Sequence, residues 1–497
     1  MKSKLSPAPA DWIKTAAQVS PSERQMRWQQ MEFYAFIHFT VNTFTDREWG
    51  TGEEDPAIFN PSQLNAKQWV ETCKDAGMKG LILTCKHHDG FCLWPSRYTD
   101  HTVAASPWRN GSGDLVREVA DACRDAGLKF GVYLSPWDRH EACYGDSERY
   151  NAFFLHQLRE LLTNYGDIFC VWFDGACGEG PNGKRQIYDW SAYYALIREL
   201  QPEAVISVCG PDVRWCGNEA GHTRESEWSV VPAHMQDNEK IQEQSQQVDD
   251  GAFARKINTQ DRDLGSRSVI RDYADQLVWY PAEVNTSIRP GWFYHASEDD
   301  QVKTLEELLS VYYGAVGGNA CFLLNLPPDK RGLIHENDVQ RLRELGSALR
   351  TTFSEDLAQG AQAKASETMD EAHDASQVLN PYGERKPKAY WCPREGTEQA
   401  WIELILPEEK TFDRVMLMEH IQSGQRIERF TLEVCGEDGR WQDIYAGTVV
   451  GYKRICCFPK VTARRVRVTI QESRWFPTLS KFSLFYSERG GRVRWQY

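Results

Sequence analysis

The sequence predicts a (β/α)8-type barrel, an α/β fold, followed by a C-terminal β-sandwich, and three observations carry that expectation. A heptapeptide, Cys73-Lys74-Asp75-Ala76-Gly77-Met78-Lys79, recurs fifty residues later as Cys123-Arg124-Asp125-Ala126-Gly127-Leu128-Lys129. Each copy closes an amphipathic helical pattern and leads into a short apolar run, the helix-then-buried-strand rhythm of a parallel sheet covered by helices. Beyond about residue 376 the hydrophobic period changes from 3.6 to 2, which marks a separate all-β unit.

Taken in order, residues 34–37 are the expected first strand. Trp69, Val70 and Cys73 form the apolar face of the next helix, Gly77 is its left-handed cap, and 80–84 is the following strand. Leu115, Val119, Ala120 and Cys123 repeat the pattern ahead of a strand at 130–134. The rhythm continues with a helix over 153–162, a stop at Tyr165-Gly166, a strand at 168–173, a helix over 190–200 and a strand at 204–208. A strand at 278–281, a helix over 304–313, a strand at 321–325 and a helix from Glu336 to about Thr351 complete a barrel over roughly 25–350. An open doubly wound sheet shares this rhythm, but no Gly-x-Gly-x-x-Gly fingerprint follows any of these strands. The expected organisation is a barrel in 1–352, a connection rich in Ala, Gln, Glu, Asp and Ser in 353–376, and a sandwich in 377–497. Trp391, Trp441 and Trp475 are expected in the sandwich core, and Arg464, Arg465 and Arg467 on a solvated face.

Lys and Arg total 57 against 71 Asp and Glu, a formal net charge of −14 that repels phosphate backbones and argues against a nucleic-acid partner. No run approaches the roughly 18 apolar residues of a membrane span, so no membrane partner is expected. Residues 1–20 lack the apolar core of a secretory leader, and the expected location is the cytoplasm. The 14 cysteines, several inside apolar runs such as Leu83-Thr84-Cys85, fit buried free thiols, and no Cys-x-x-Cys pair suggests zinc. With 18 Trp, 20 Tyr and 21 Phe the chain is rich in flat faces that pack in cores and stack on sugar rings.

In a parallel barrel the active site lies at the C-terminal ends of the strands. Polar side chains gather there. His38 and Asp46-Arg47-Glu48-Trp49-Gly50 follow the first strand, Lys86-His87-His88-Asp89-Gly90 the second, and Asp174-Gly175 the fourth, while the third carries Tyr133 and Trp137. After the fifth comes a loop with Asp212, Glu219, Glu225 and Glu227 beside Trp215 and Trp228, and the next strand leads into Glu283, Asn285, Arg289 and Trp292. Histidines, aromatic rings and acids at one mouth make a carbohydrate site. Asp174 emerges directly from an apolar strand that fixes its backbone, as a nucleophile in near-attack geometry requires. The competing reading is a turn Asp before Gly. A metal centre is the rival reading of the histidines, but adjacent His87 and His88 point to different sides of a strand, and no metal is expected.

Tyr34-Ala35-Phe36-Ile37-His38-Phe39, Cys85-Lys86-His87-His88-Asp89-Gly90-Phe91, Tyr133-Leu134-Ser135-Pro136-Trp137 and Val171-Trp172-Phe173-Asp174-Gly175 resemble the serial motifs of glycoside hydrolase family 29, the α-L-fucosidases. So do Trp279-Tyr280-Pro281-Ala282-Glu283-Val284-Asn285 and Leu323-Leu324-Asn325-Leu326-Pro327-Pro328-Asp329. The later segment Glu419-His420-Ile421-Gln422-Ser423-Gly424-Gln425-Arg426 resembles the discoidin-like (F5/8 type C) sandwich often joined to this barrel. The resemblance implies a retaining exo-fucosidase that uses neither metal nor cofactor and whose partner is a fucosylated oligosaccharide substrate. On matching positions it makes Asp174 the nucleophile, assigns His38, Glu48, Trp49, His87, His88 and Tyr133 to the fucose hydroxyls and ring, and places Trp292 on the pocket wall. Asn218-Glu219-Ala220-Gly221 resembles the acid/base segment of the branch that cleaves α-1,3- and α-1,4-linked fucose from Lewis-type oligosaccharides. That makes Glu219 the acid/base, with Glu225, Glu227 and Glu283 as alternatives. Fucose lacks a hexose's 6-hydroxyl, and Trp49, Phe39 and Trp292 are expected to form the apolar wall it needs. A barrel that only binds sugar, or a glycosidase for another sugar, would present a similar mouth.

Overall fold

The computed structural model describes residues 9–245, 263–380 and 389–488. Residues 1–8, part of the stretch read for a leader, and 489–497, the end of the expected sandwich, lie outside the described residues. Eight parallel strands build the barrel: β1 (Phe33–Ile37), β2 (Gly80–Lys86), β3 (Lys129–Leu134), β4 (Ile168–Phe173), β5 (Val205–Val208), β6 (Arg214–Trp215) and, after a ribbon of β7 (Val230–Pro232) and β8 (Leu277–Trp279), β9 (Ala282–Ser287) and β10 (Ala320–Asn325). Around the wall they run β5-β4-β3-β2-β1-β10-β9-β6, and a parallel bridge between Ser207 and Val213 spans the seam from β5 to β6.

Strand alternation sorts the side chains into two layers. On β1, Phe33, Ala35 and Ile37 pack outward with the helix residues Trp69 and Leu115, whereas Tyr34 and Phe36 point into the barrel beside Tyr133, Trp172 and Leu323. The covering helices begin on Asn65, Asp114, Asp189 and Thr304, each of whose side chains accepts the backbone N–H three residues on. Gly127, at φ +75°, ends the helix of the second repeat in the left-handed conformation expected of it.

Two strands depart from the sequence expectation. The segment expected at 278–281 is β8, which pairs antiparallel with β7 outside the barrel, and the barrel strand is β9, just beyond it. The inward residues of β9 are Glu283 and Asn285, so its polar face hides it from a search for apolar runs. The two-residue β6 is too short for any periodicity to show.

The C-terminal β domain is one antiparallel sheet of β11 (Gln362–Ala365), β12 (Ala400–Met418), β13 (Ile427–Cys435), β14 (Trp441–Gly447), β15 (Arg454–Ser473) and β16 (Lys481–Phe485), in the order β11-β12-β15-β13-β14 with β16 on β12. β11 falls within the stretch read as a connection and pairs with β12. The domain has its own core, including Trp391, Ile402, Leu432 and Val468. Trp441 lies outside that core because it opens an edge strand, and the Arg467 guanidinium sits 4.0 Å over its ring while also pairing with Glu433. Trp475 sits at the junction with the barrel, beneath Arg426 at 4.7 Å. That junction is polar and buried: Lys453 Nζ lies 2.6 Å from Glu32, and the Ile455 N–H donates to the Gly317 carbonyl at 3.0 Å.

Candidate active site

One pocket at the C-terminal mouth of the barrel is lined by His38, Glu48, Trp49, His87, His88, Asp174, Glu219 and Trp292, joined by Phe36, Trp172 and Asn285. Eight of the nine site residues expected from sequence meet there. The ninth, Tyr133, is buried below them and donates its hydroxyl to Asp174 Oδ2 at 3.0 Å.

Asp174 stands one residue past β4. Its Oδ1 accepts the Ala176 N–H at 2.9 Å, and His88 Nε2 lies 3.8 Å from Oδ2. Both oxygens are therefore held while the side chain keeps 25% of its surface open to the pocket. Glu219, on the loop from β6 to β7, accepts the Trp292 indole N–H at 3.0 Å. Burial pushes its carboxyl up to about 8, the Trp292 hydrogen bond opposes that rise, and the charges of Asp174 and Glu48 add to it. Asp174, with both oxygens bonded by donors, thus shares the pocket with Glu219, whose carboxyl is held protonated at neutral pH.

The histidines form the pocket's side wall. His38 Nδ1 bonds Asn325 Oδ1 at 2.8 Å, and His88 Nδ1 bonds Ser135 Oγ at 2.7 Å. Burial lowers His38 to about 3 and His88 to about 4, and it takes His87 well below its usual range, so all three rings are neutral at physiological pH. Neutral rings can donate from one nitrogen and accept at the other, which suits sugar hydroxyls. The buried Nδ1 of His87 has no protein partner among the described residues. His87 and His88 do not diverge as strand residues would. They lie in the turn beyond Lys86, with ring centroids 4.1 Å apart, and both reach the pocket. Among the described residues no group of three His, Cys, Asp or Glu side chains could hold a metal ion.

Glu48 also lines the pocket. Its carboxylate accepts the N–H groups of Trp292 at 2.8 Å and Phe293 at 3.0 Å. His295 bridges Glu48 Oε1 through Nε2 and Asp46 Oδ1 through Nδ1, both at 2.8 Å. With a carboxylate on each ring nitrogen, its pKa is raised to about 9. A Cβ on Gly291 would come within 2.6 Å of Glu48 Oε1, so this close approach needs glycine.

The alternative acids are elsewhere. Glu227 is fully buried between Arg214 and Arg224, whose charges hold its carboxyl below its usual range against the cost of burial. The Glu225 backbone carbonyl is bonded by residues of the β domain. Glu283 lies beneath the floor, accepting the Trp172 indole N–H at 2.7 Å and the Tyr34 hydroxyl, and is entirely excluded from solvent. Phe39, expected on the apolar wall, is instead packed among Phe44, Phe59 and Trp69 on the helix side. The odd-numbered positions of β1 point outward, so the inward aromatic is Phe36. Phe36 and Trp172 could have been found by stepping back two residues from His38 and Asp174. His295 carried no such signal, because its role depends on a loop nearly 250 residues away.

A sequence profile described as alpha-L-fucosidase matches residues 3–352, and one described as F5/8 type C domain matches 362–482. Alpha-L-fucosidase 1 of Arabidopsis thaliana is 42% identical over 477 residues, covering 95% of this chain and 89% of the relative. The crystal structure of a putative alpha-L-fucosidase from Bacteroides ovatus superposes with a TM-score of 0.83 at 45% identity, over 99% of this chain and 78% of that one. A GH29 fucosidase of Ruminococcus gnavus, solved in complex with fucose, gives a TM-score of 0.81 at 31% identity, over 96% of both chains.

Proposed function

The chain belongs to the α-L-fucosidase family of glycoside hydrolases, and from that premise we propose that it is a retaining exo-enzyme with Asp174 as nucleophile and Glu219 as acid/base. The observation that carries this reading is that Glu219, held protonated by burial, shares one pocket with Asp174, whose two oxygens are bonded by donors. In the first step an Asp174 oxygen forms a bond to the anomeric carbon as the glycosidic C–O bond breaks, and Glu219 gives its proton to the departing oxygen. In the second, ionised Glu219 takes a proton from water, whose oxygen bonds to the same carbon as the ester to Asp174 breaks. Fucose leaves with its configuration retained and both acids return to their starting states. Raising Glu219 to about 8 keeps the proton available at neutral pH.

His38, His87, His88 and Glu48 supply donors and acceptors for the hydroxyls, while Phe36, Trp49, Trp172 and Trp292 offer apolar surface. A buried hexose 6-hydroxyl facing such surface would lose its hydrogen bonds to water, which favours the 6-deoxy sugar. For linkage, the resemblance of Asn218-Glu219-Ala220-Gly221 to the α-1,3/α-1,4 branch supports Lewis-type oligosaccharides as substrates. The test is fucose release from a Lewis-type trisaccharide beside 2′-fucosyllactose, for the wild type and Glu219→Ala. The expected result is release from the branched sugar alone, abolished by the substitution. Efficient cleavage of 2′-fucosyllactose would reject the linkage assignment, and an active Glu219→Ala would reject the acid/base.

A further inference from the structure

The loop that carries Glu219 is supported by its own side chains, by the barrel, where Thr223 Oγ1 donates to the Gly314 carbonyl at 2.8 Å, and by the C-terminal β domain. Near Glu219 the loop braces itself: Asn218 Oδ1 accepts the N–H groups of Ala220 and His222, each at 3.2 Å, and Asn218 Nδ2 donates to the His222 carbonyl at 2.9 Å. Farther along, the Glu225 carbonyl accepts Arg454 Nη1 at 2.9 Å and Thr448 Oγ1 at 3.1 Å, both from the C-terminal β domain. Two donors use both lone pairs of that oxygen, so its position is tightly defined. Arg454 is 1% exposed, and its Nη2 donates to the Tyr445 hydroxyl at 3.0 Å. The same domain holds the next part of the loop, where the Ser229 N–H donates to Gln425 Oε1 at 2.8 Å. Burying a guanidinium is costly, and here one of its bonds is spent on a main-chain carbonyl of the other domain. Such a bond fixes a position more than it neutralises a charge.

We infer that the C-terminal β domain is a positioning part of the catalytic machinery: Arg454 and Thr448 clamp the loop at Glu225 and thereby hold Glu219 against the leaving-group oxygen. This rests on the assignment of Glu219 as acid/base. Proton donation depends steeply on placement, whereas the attack of Asp174 and the fucose contacts arise from barrel strands and loops the clamp does not touch. Loosening the clamp should therefore slow substrates whose leaving group needs a proton and spare those whose leaving group does not.

The experiment compares phenyl α-L-fucoside, which departs as a basic phenoxide, with α-L-fucosyl fluoride, which needs no proton. The quantity is kcat/KM, which covers only the steps up to the fucosyl-enzyme. In the full-length enzyme, Arg454→Met and Thr448→Val should each lower the phenyl fucoside value by about tenfold while leaving the fluoride within about twofold. Tyr445→Phe removes a further hydrogen-bond partner of Arg454 but leaves both donors to the Glu225 carbonyl, and its loss on the phenyl fucoside should not exceed that of Arg454→Met. A parallel loss on both substrates, or no loss on either, in Arg454→Met and Thr448→Val would overturn the inference. Thr448→Val keeps the side chain's shape and decides the matter should Arg454→Met fail to fold. Glu219→Ala runs alongside: if it shows no preference for the fluoride, the acid/base assignment has failed, whereas selectivity there without selectivity in the clamp variants refutes the clamp alone.

Discussion

Replacing Asp174 by Asn tests the electrostatics of the site directly. The amide has the carboxylate's shape but no charge, as Asp174 would have once esterified to fucose in the proposed mechanism. Glu219 is held at about 8 first by burial and then, against the Trp292 hydrogen bond, by the charges of Asp174 and Glu48. Two unit charges about 5 Å apart, the spacing a retaining pair requires, interact by about 3 kcal/mol at an effective dielectric near 20, equivalent to about 2 pH units. Solvent in the pocket weakens that coupling, and both burial and Glu48 remain in the variant. The Glu219 midpoint should therefore fall by about 1–2 pH units in Asp174→Asn, because removing a like charge favours the ionised form. Carbon-13 NMR of Glu-labelled protein, with the resonance assigned by its loss in a Glu219→Gln background, measures the midpoint in both forms. A midpoint that stays in place or rises would refute the coupling. In the proposed mechanism such a fall would let Glu219 serve as acid and then base, since esterification of Asp174 would remove the charge that helps keep Glu219 protonated.

Two further outcomes follow from other parts of the site. His295 is held to about 9 by Glu48 and Asp46, so its positive charge persists through neutral pH and is lost as pH rises through about 9; fucose inhibition should weaken over that range in the wild type, be about tenfold weaker at pH 7 in His295→Gln and show no such inflection there, and an unchanged inflection in the variant would remove His295 from the account. Asp138 pairs with Lys86 at 2.7 Å with both side chains at most 2% exposed, so Asp138→Asn leaves a buried ammonium without its counter-charge and should cost about 3–5 kcal/mol, read as a lower urea midpoint at unchanged slope; a midpoint equal to the wild type would show the pair to be dispensable.

Much of this site was legible because chemistry at a barrel mouth is written next to strand ends. His38 and Asp174 each follow an apolar strand directly, and the paired repeats set the rhythm by which those strands could be placed. The partners of these residues were less visible. Phe36 and Trp172 reach the pocket because strand alternation turns them inward, and Phe39 packs on the helix side. Glu283 was readable as an acid near the mouth, yet only the inward turn of β9 puts it under the floor with Tyr34 and Trp172. His295 gains its meaning from Asp46 and Glu48, and Glu225 from Arg454 and Thr448, contacts between segments far apart in the chain.

The sequence by itself determined the alternation of helices and strands through the first five barrel strands, the switch to an all-β domain and the residue types that reach the mouth, since periodicity, caps and strand-end polarity are local properties of the chain. Only the tertiary structure decided which of four glutamates shares a pocket with Asp174, and therefore which is held near 8. A carboxyl's proton affinity depends on burial and on charges brought close by folding, and no spacing along the chain encodes those distances.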